Sequence, residues 1–445
     1  MKTLTLLCLF CVLSCSAALA RQSNNDTLLT KQFLTLQQRG QFAEALQLMD
    51  AGVTSRLNES GLRSIWTDQI QFANGSYRRS WTSEIIPQQS YTTIIETCVF
   101  DRHTIRIRFI FSPAHKILSY TLAEDMPPIS PASTSPLSDR PSSFYTAINV
   151  SIPTDGILLN GRLTLPNQPG KYPAAILLGG SGPTDMDGTY GPNKIYRDLA
   201  DGLSEQGIAV LRYDKRTVAN AASMQADYTV ADEVTNDAIA ALRYLCTLPG
   251  VDTSNIFYVG HSLGGMLAPR IAAGQPNVSG IALLEANVRD LGVTVLEQLD
   301  YLHSRKTMSN DVYDKMRRQW QRVASDTLSA AASIDSLPDH VRAGYWLDLK
   351  QYDPGLVAAS LGIPIFIAQG GRDYQVTTKE FDLWKIKLAD VPGVTFKFYP
   401  TLNHQMISLN TDRPSVPLEY SLPGQVDTQL ITDLAAWIRA NVRRR

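Results

Sequence analysis

Short apolar runs recur along residues 145–400, separated by segments with a helical period. Six of these runs carry few charges and many β-branched residues, which predicts strands that are buried on both faces of a sheet. The intervening segments are amphipathic; Ile195, Leu199 and Leu203, for example, share one helical face. Strands that alternate with such helices predict an α/β domain with a doubly wound, mostly parallel sheet. The six runs are AAILLGG, GIAVLRYD, NIFYVG, GIALLEA, IPIFIAQG and VTFKFYP, and two earlier runs, YTAINVSIP and ILLNGRLTLP, predict a leading antiparallel pair.

The first 125 residues have a different pattern. Leu29, Phe33 and Leu36 recur at helical spacing, whereas HTIRIRFIF alternates apolar and polar positions as a strand does. Helices followed by an antiparallel sheet predict a small α+β accessory domain over residues 21–125. Residues 126–143 are rich in proline and serine, and the prolines exclude a regular helix and a central strand. We therefore predict a linker there, and the α/β domain over residues 144–445.

Residues 1–20, MKTLTLLCLFCVLSCSAALA, have the pattern of an export signal. A lysine precedes a short apolar stretch, and Ala18 and Ala20 form an A-x-A cleavage site. This pattern predicts an exported protein, periplasmic or secreted. The segment VLSC also loosely matches a lipoprotein signal, and that alternative would place a lipid anchor on Cys15. With the signal removed, Cys98 and Cys246 remain in different segments, which implies no disulfide framework.

Composition and charge mainly exclude functions. The 445 residues are 44% hydrophobic, enough for a sizeable core, and the net charge is −1. A chain without excess positive charge has no electrostatic basis for binding nucleic acid, so no nucleic-acid partner is expected. Residues 290–350 are helical and charge-rich and interrupt the alternation of strands and helices. We interpret them as a helical cap inserted over the edge of the sheet.

One motif carries the clearest chemical signal: Gly260-His261-Ser262-Leu263-Gly264, directly after the run NIFYV. This is G-x-S-x-G between a predicted strand and a predicted helix, the setting of a nucleophile elbow. A sharp turn there exposes the serine hydroxyl, and only glycine leaves room on either side. We therefore predict that Ser262 is a nucleophile. An ordinary serine in a glycine-rich turn is the alternative.

A serine nucleophile needs a histidine base and an acid that orients it, and in this fold they follow in the order acid, then histidine. His404, in FYPTLNHQM beyond the last strand, is the histidine in the right place, and Asp373, in the loop after IPIFIAQG, is the predicted acid. Glu285, at the end of GIALLE, is the rival acid. The other histidines lie in the small domain, beside the nucleophile or in the inserted helices: His103, His115, His261, His303 and His340.

The segment LLGGSGPTDMDG, residues 177–188, is a glycine-rich loop after a predicted strand. It lacks the third glycine of a dinucleotide fingerprint, and no G-K-[ST] follows, which argues against phosphate binding. In a serine hydrolase, the loop at this place supplies one oxyanion donor and the residue after the nucleophile supplies the other. The N–H groups of Ser181 and Leu263 are the predicted donors, with Gly180 as the alternative to Ser181.

Four segments, GGSGPTDMDG, NKIYRDLADGLSEQGIAVLRYDKR, GHSLGGMLAPRIA and GGRDYQV, resemble α/β-hydrolases of the dienelactone hydrolase and serine aminopeptidase-like group, particularly bacterial exported carboxylesterases. The resemblance covers residues 145–445. It implies a triad of Ser262, Asp373 and His404, with the oxyanion hole as predicted above. The chain departs from these relatives at residues 179–180, where Gly-Gly replaces the His-Gly that they often have. That departure removes a side chain that helps to fix the oxyanion loop.

The small domain carries a second resemblance. GQFAEALQLMD and GLRSIWTDQIQFANGSYRR resemble a nuclear-transport-factor-2-like domain, of uncharacterised role, that is found ahead of bacterial α/β-hydrolases. We interpret it as a structural or partner-binding module, and a homodimer through this domain is one expectation.

Together these features predict an exported serine hydrolase that cleaves a small-molecule carboxylic ester through an acyl-enzyme. No metal or organic cofactor is expected. A peptidase or amidase with the same triad is one alternative, and a non-catalytic binding protein on a hydrolase scaffold is another. Leu296, Leu299, Tyr345 and Trp346 of the inserted helices would line an apolar acyl pocket or only cover the sheet edge.

Overall fold

The chain divides into two compact units, Met1–Pro128 and Ile129–Arg445, and the division falls inside the predicted linker. The predicted signal segment 1–20 with Cys15, all of the linker except its last two residues, and His103 lie outside the described residues. The predictions made for them remain predictions. The computed structural model describes residues 25–54, 57–71, 75–87, 91–101, 104–122, 142–191, 193–219, 228–305, 308, 310–409, 413–421 and 424–443.

The smaller unit is an α+β domain. Its helices are residues 25–38, Phe42–Leu46, Ala51–Thr54 and Glu59–Ser64, the last continued by a π-helical segment Ile65–Gln71; its strands are β1 Tyr77–Pro87, β2 Thr92–Phe100, β3 Thr104–Phe111 and β4 Ile117–Leu122. The strands form one antiparallel sheet in the order β1-β2-β3-β4. Phe33, Trp66 and Phe109 belong to the apolar core between helices and sheet. The resemblance to nuclear-transport-factor-2-like domains stays a prediction.

His115, between β3 and β4, contacts the first helix of this unit. Its Nδ1 lies 2.7 Å from Oδ1 of the buried Asp26. The side chain is about one-third exposed, at 32%. His115 therefore ties the strand region of the smaller unit to its first helix.

The larger unit is built on an eight-stranded sheet. Its strands are β5 Tyr145–Thr154, β6 Ile157–Pro166, β7 Tyr172–Leu178, β10 Ala209–Tyr213, β11 Val251–His261, β12 Val278–Leu284, β13 Ile365–Gly370 and β14 Val394–Tyr399; β8 Thr189–Tyr190 and β9 Asn193–Lys194 form a separate short hairpin. The order across the sheet is β14-β13-β12-β11-β7-β10-β6-β5. All strands from β14 to β10 in this order are parallel, while β6 and β5 run antiparallel at one edge. The predicted mostly parallel sheet is confirmed, and so is its leading antiparallel pair.

Helices cover both faces of this sheet because each face carries an apolar core. Successive side chains of a strand point to opposite faces, and in β7 Ile176 belongs to one core while Ala175 and Leu177 belong to the other. The helices are Ile195–Glu205, Arg216–Ala219, Asn236–Leu245, Leu263–Ala272, Leu291–Ser304, Asn310–Ala324, Ala343–Gln351, Pro354–Ser360, Thr378–Lys387 and Thr428–Ala440; a π-helical segment, Ala231–Thr235, precedes the third, and 3₁₀ turns occupy Ile334–Ser336, Pro338–His340 and Pro417–Ser421.

The predicted helical insertion, residues 290–350, lies in the chain between two strands of the sheet. Its helices connect β12 to β13, which are neighbours in the interior of the sheet. A connection between parallel strands begins at the carboxyl end of the first strand, so the insertion starts at that edge. Tyr301 of the helix Leu291–Ser304 stacks on Tyr374, which follows β13, with ring centroids 5.2 Å apart. The Tyr301 hydroxyl also donates a hydrogen bond to the Ser415 carbonyl at 2.9 Å.

Three of the four residues considered for an acyl pocket pack into the core instead. Leu299, Tyr345 and Trp346 are buried in the same apolar cluster as Met266. They attach the inserted helices to the rest of the larger unit rather than line an open surface.

Two further observations concern the chain as a whole. Cys98 and Cys246 are both free, and Cys246 directly follows the helix Asn236–Leu245. Among the residues that the structure describes, none of the helices combines the length and the apolar character that crossing a bilayer requires.

The larger unit is expected to fold without the smaller one, because its sheet and both of its cores lie after residue 144. A shortened protein of residues 144–445 should unfold cooperatively on heating, followed by circular dichroism at 222 nm. The full-length chain, recorded in the same buffer, is the reference. A shortened protein that melts without a cooperative transition would show that the larger unit needs the smaller unit in order to fold.

Candidate active site

Ser262 occupies the sharp turn between β11 and the helix Leu263–Ala272. Its backbone angles, φ 54° and ψ −122°, lie in a region that residues other than glycine rarely adopt. A methyl group at Gly260 would lie 2.4 Å from the Gly264 carbonyl oxygen, and one at Gly264 would lie 2.4 Å from the Leu178 oxygen. Both glycines are therefore required by close packing of backbone against backbone. This is the strained strand-to-helix turn that the G-x-S-x-G motif predicts.

Asp373 and His404 come together as the sequence predicted. Nδ1 of His404 lies 2.6 Å from Oδ2 of Asp373, and both residues are buried. The other carboxylate oxygen, Oδ1, accepts hydrogen bonds from the N–H groups of Gln375 at 2.7 Å and Val376 at 3.0 Å. These bonds hold the carboxylate in one orientation. An Nδ1–H that donates to Asp373 leaves Nε2 of the imidazole free to accept a proton.

His404 is itself held by a compact turn. The Asn403 side-chain oxygen accepts hydrogen bonds from the N–H groups of Gln405 at 2.9 Å and Ile407 at 3.2 Å. The Met406 N–H closes the turn onto the Asn403 carbonyl at 2.8 Å. The ring is therefore presented by a segment whose backbone is fixed on both sides.

Glu285, the rival acid, has a different environment. Its side chain is fully buried, with Oε1 accepting from the Gly370 N–H at 2.8 Å and Oε2 from the Gln369 amide at 2.6 Å. Burial, and next the charge of Asp373, raise the pKa of Glu285 well above its usual range. A neutral acid cannot stabilise an imidazolium by charge. The carboxylate that contacts Nδ1 of His404 is that of Asp373, and Glu285 lies near Asp373.

The glycine-rich loop after β7 lies directly against the nucleophile. A methyl group at Gly180 would be 3.3 Å from Cβ of Ser262. The Gly180 N–H donates a hydrogen bond to the hydroxyl of Tyr196 at 3.0 Å, so it already has a partner. Within the described part of the chain, the Ser181 N–H donates no hydrogen bond. Of the two donors predicted in this loop, Ser181 is thus the one that is open to a ligand.

Leu263, the second predicted donor, is the first residue of the helix that follows the nucleophile. The first N–H groups of a helix have no partner in a preceding turn and point out of the helix end. Leu263 thus directly follows Ser262 at the start of the helix, and the loop that contains Ser181 lies beside Ser262.

His261, the neighbour of the nucleophile, connects the two halves of the site. Its Nε2 lies 2.8 Å from the carbonyl oxygen of His404, an acceptor, so Nε2 carries the proton. Its Nδ1 then accepts from the Tyr196 hydroxyl at 3.2 Å. One chain of hydrogen bonds therefore runs from the Gly180 N–H through Tyr196 and His261 to the backbone of His404.

Sequence reasoning missed Tyr196 and the bridging role of His261. The ring of His261 lies 4.7 Å from that of His404, centroid to centroid. Its position in the motif was visible, but its partners come from segments 65 and 143 residues away in the chain. Within the described residues, no cluster of histidine, cysteine and carboxylate side chains is arranged to hold a metal ion.

The chain is similar to a known family and to several known esterases. The family model described as serine aminopeptidase, S33 matches residues 188–410, a range that contains Ser262, Asp373 and His404. Esterase EstD of Thermotoga maritima is 33% identical over 404 residues, which are 89% of this chain and 91% of that protein. Among solved structures, Est1E from Butyrivibrio proteoclasticus has a TM-score of 0.44 at 17% identity, covering 66% of this chain and 99% of its own. The esterase of Pyrobaculum calidifontis has the same TM-score and identity, covering 66% and 85%.

The fold and the family model define the class, an α/β-hydrolase. More particularly, the chain belongs to the serine aminopeptidase S33 family, and it is a serine hydrolase.

The burial of His261 predicts a specific acid sensitivity. Burial, and then the charge of His404, lower the pKa of His261 from about 6.5 to about 3. Between these values the unfolded chain binds a proton that the folded chain does not, so the free energy of unfolding falls as pH falls through this window. The slope for this one group approaches about 1.4 kcal/mol per pH unit. Denaturant unfolding of the wild type and His261→Gln from pH 7 to pH 4 measures it as the difference between the two curves.

Other titrating groups are common to both proteins and cancel in that difference. The His261→Gln variant is expected to lose stability less steeply below pH 6.5. Two parallel curves would contradict the neutral state assigned to His261.

Proposed function

We propose that this serine hydrolase cleaves carboxylic esters through an acyl-enzyme formed on Ser262. The observation that carries the proposal is the 2.6 Å contact of His404 Nδ1 with Asp373, at the same edge of the sheet as the strained turn of Ser262. β11, β13 and β14 are parallel, so the segments that follow them meet at their carboxyl ends.

The three side chains have distinct roles in the proposed reaction. Ser262 Oγ attacks the ester carbonyl carbon while Nε2 of His404 takes the hydroxyl proton. The tetrahedral intermediate collapses as the C–O bond to the alcohol breaks, and His404 returns the proton to the leaving alkoxide. Water then repeats the sequence on the acyl-enzyme and releases the carboxylic acid. Asp373 keeps Nδ1 protonated and stabilises the imidazolium.

The negative charge that develops on the carbonyl oxygen needs donors that are already in place. We assign the N–H groups of Ser181 and Leu263 to this role, and each such donor contributes on the order of 3 kcal/mol to stabilisation of the transition state. The Gly180 N–H is less suited because its bond to Tyr196 would have to break first.

An ester preference is supported by the relative of 33% identity, which is named an esterase. Hydrolysis of peptides is the second candidate, because the family model is described as serine aminopeptidase. A charged carboxylate near the scissile bond would favour peptides with a free amino terminus, because it binds an ammonium group strongly. Glu285, which packs behind Asp373, is buried and has a raised pKa, so it does not offer that charge.

The role of the acid is tested by a matched pair of substitutions. Asp373→Asn should lower kcat by on the order of 10⁴-fold, because the amide cannot hold His404 in the required tautomer or stabilise its charge. Glu285→Gln should change kcat little, since the carboxylate that contacts His404 is that of Asp373 and a glutamine oxygen can still accept from the Gly370 N–H. Steady-state kinetics on a p-nitrophenyl ester compares them, with melting temperatures to check folding. Collapse in Glu285→Gln and wild-type kinetics in Asp373→Asn would reverse the two roles.

The reaction class is tested with esters and peptide amides that share an acyl group. Small activated esters should be hydrolysed with a higher kcat/KM than aminoacyl p-nitroanilides, and Ser262→Ala should lose both the activity and labelling by a fluorophosphonate. Higher kcat/KM on the anilides would favour the peptidase candidate. Full labelling of Ser262→Ala would show that the nucleophile is another residue.

A further inference from the structure

Lys215 lies directly after β10 and points its side chain under the glycine-rich loop. The side chain is 5% exposed, and its Nζ makes three short contacts. It donates to the Gly180 carbonyl at 2.8 Å, to the Gly182 carbonyl at 3.0 Å and to Oε1 of Glu233 at 2.6 Å. An ammonium group has three N–H donors, so every donor of Lys215 is satisfied. An ammonium group held through all three donors is suited to fixing the segments around it.

The stem of Lys215 fills the place that a side chain at residue 179 would take. A methyl group at Gly179 would lie 3.3 Å from Cδ of Lys215 and 3.7 Å from its Cγ. The Lys215 N–H also donates to the Thr184 carbonyl at 3.1 Å. The loop therefore wraps around Lys215 with contacts to its backbone, its stem and its charge. This chain lacks the histidine that often starts the loop in relatives, and Lys215 packs where its side chain would begin.

We propose that Lys215 is a positioning residue that aims the Ser181 N–H at the oxyanion. The Gly180 carbonyl and the Ser181 N–H belong to one peptide plane, and in a trans peptide they point in opposite directions. The bond from Nζ to the Gly180 carbonyl thus turns the Ser181 N–H away from Lys215. Gly180 itself lies against Ser262, because a methyl group placed at Gly180 would be 3.3 Å from Cβ of Ser262.

The second carbonyl bond prevents the loop from rotating about Ser181. Gly182 has a positive φ of 75°, which glycine adopts without strain, and its carbonyl also accepts from Nζ. The carbonyls on both sides of Ser181 are therefore tied to one cation. A rotation that moved the Ser181 N–H would have to break at least one of these bonds.

Lys215 is in turn anchored by Glu233 and the inserted helices. Glu233 is buried, and its second oxygen, Oε2, accepts from the Tyr345 hydroxyl at 2.6 Å. Burial, and next the charge of Glu233, raise the pKa of Tyr345 well above its usual range, so the hydroxyl stays a donor. Tyr345 belongs to the helix Ala343–Gln351. The cap thus helps to set the position of the ion pair that holds the oxyanion loop.

This inference rests on the proposed function, because it assumes that Ser181 is an oxyanion donor. The main test is the double substitution Lys215→Met with Glu233→Gln. It removes the hydrogen bonds from Lys215 to the glycine-rich loop without leaving a lone buried charge. It should lower kcat by on the order of 10²-fold, the effect of a lost oxyanion donor, with KM nearly unchanged. The inhibition constant of a trifluoromethyl ketone, which forms a tetrahedral adduct on serine, should rise by the factor by which kcat/KM falls.

The next residue in the chain supplies a matched control. Arg216 pairs with the buried Asp237, with Nε 3.0 Å from Oδ2, and its other contacts are Thr154 and Asp155. Arg216→Met with Asp237→Asn removes a similar buried ion pair that does not touch the loop. It should lower the melting temperature but leave kcat and the inhibition constant of the ketone near their wild-type values.

A milder variant keeps the test decisive if the first double variant does not fold. Tyr345→Phe keeps the ion pair and both bonds from Lys215 to the loop and removes only the hydroxyl that anchors Glu233, so kcat and ketone affinity should fall together by a smaller factor. Wild-type kcat and ketone affinity in whichever of these two variants folds, together with an inactive Ser262→Ala variant, would contradict the positioning role of Lys215. The proposed function would then still stand. Activity that survives in Ser262→Ala would overturn the proposed function instead.

Discussion

The candidate site depends on how closely the turn at Ser262 approaches the end of β7. A methyl group at Gly264 would lie 2.4 Å from the Leu178 oxygen and 2.6 Å from the Gly179 oxygen. Backbone therefore packs on backbone with no room for a side chain, and this contact brings the loop after β7 next to the nucleophile. A larger residue at Gly264 would separate the two segments and, with them, the two candidate oxyanion donors. The strain at Ser262 is maintained because β11, its helix and β7 hold the turn from three sides.

Burial then determines which groups around the turn carry charge. Glu285 and His261 are both buried, and for each the shift in pKa favours the neutral form: upwards for the acid and downwards for the base. Both then act as hydrogen-bonding groups that connect neighbouring backbone segments. Lys215 and Glu233 compensate each other directly through a 2.6 Å contact. The buried groups of the site are thus neutral or paired, and their hydrogen bonds connect every segment that presents a functional residue.

The sequence was most informative where function requires an unusual local pattern. Glycines on both sides of Ser262 indicated the turn, and buried apolar runs indicated the parallel strands, because their patterns arise from short-range sterics and periodicity. The order of Asp373 and His404 along the chain followed from the order of those strands. Composition shows that residues 290–350 are helical and charge-rich, but the two strands that they connect were visible only in the structure.

The sequence by itself therefore determined the fold class, the nucleophile turn and the residues that follow the carboxyl ends of the strands. The sequence favoured Asp373 over Glu285 as the acid, but only the tertiary structure showed that Asp373 contacts His404 and that Glu285 is buried against the Gly370 N–H. The partners of Lys215, Tyr196 and His261 were likewise visible only in three dimensions. Their contacts join segments far apart in the chain, such as His261 with His404 or Glu233 with Tyr345. Pairing of this kind depends on which side chains a common core brings within hydrogen-bond distance, and no local pattern in the sequence encodes it.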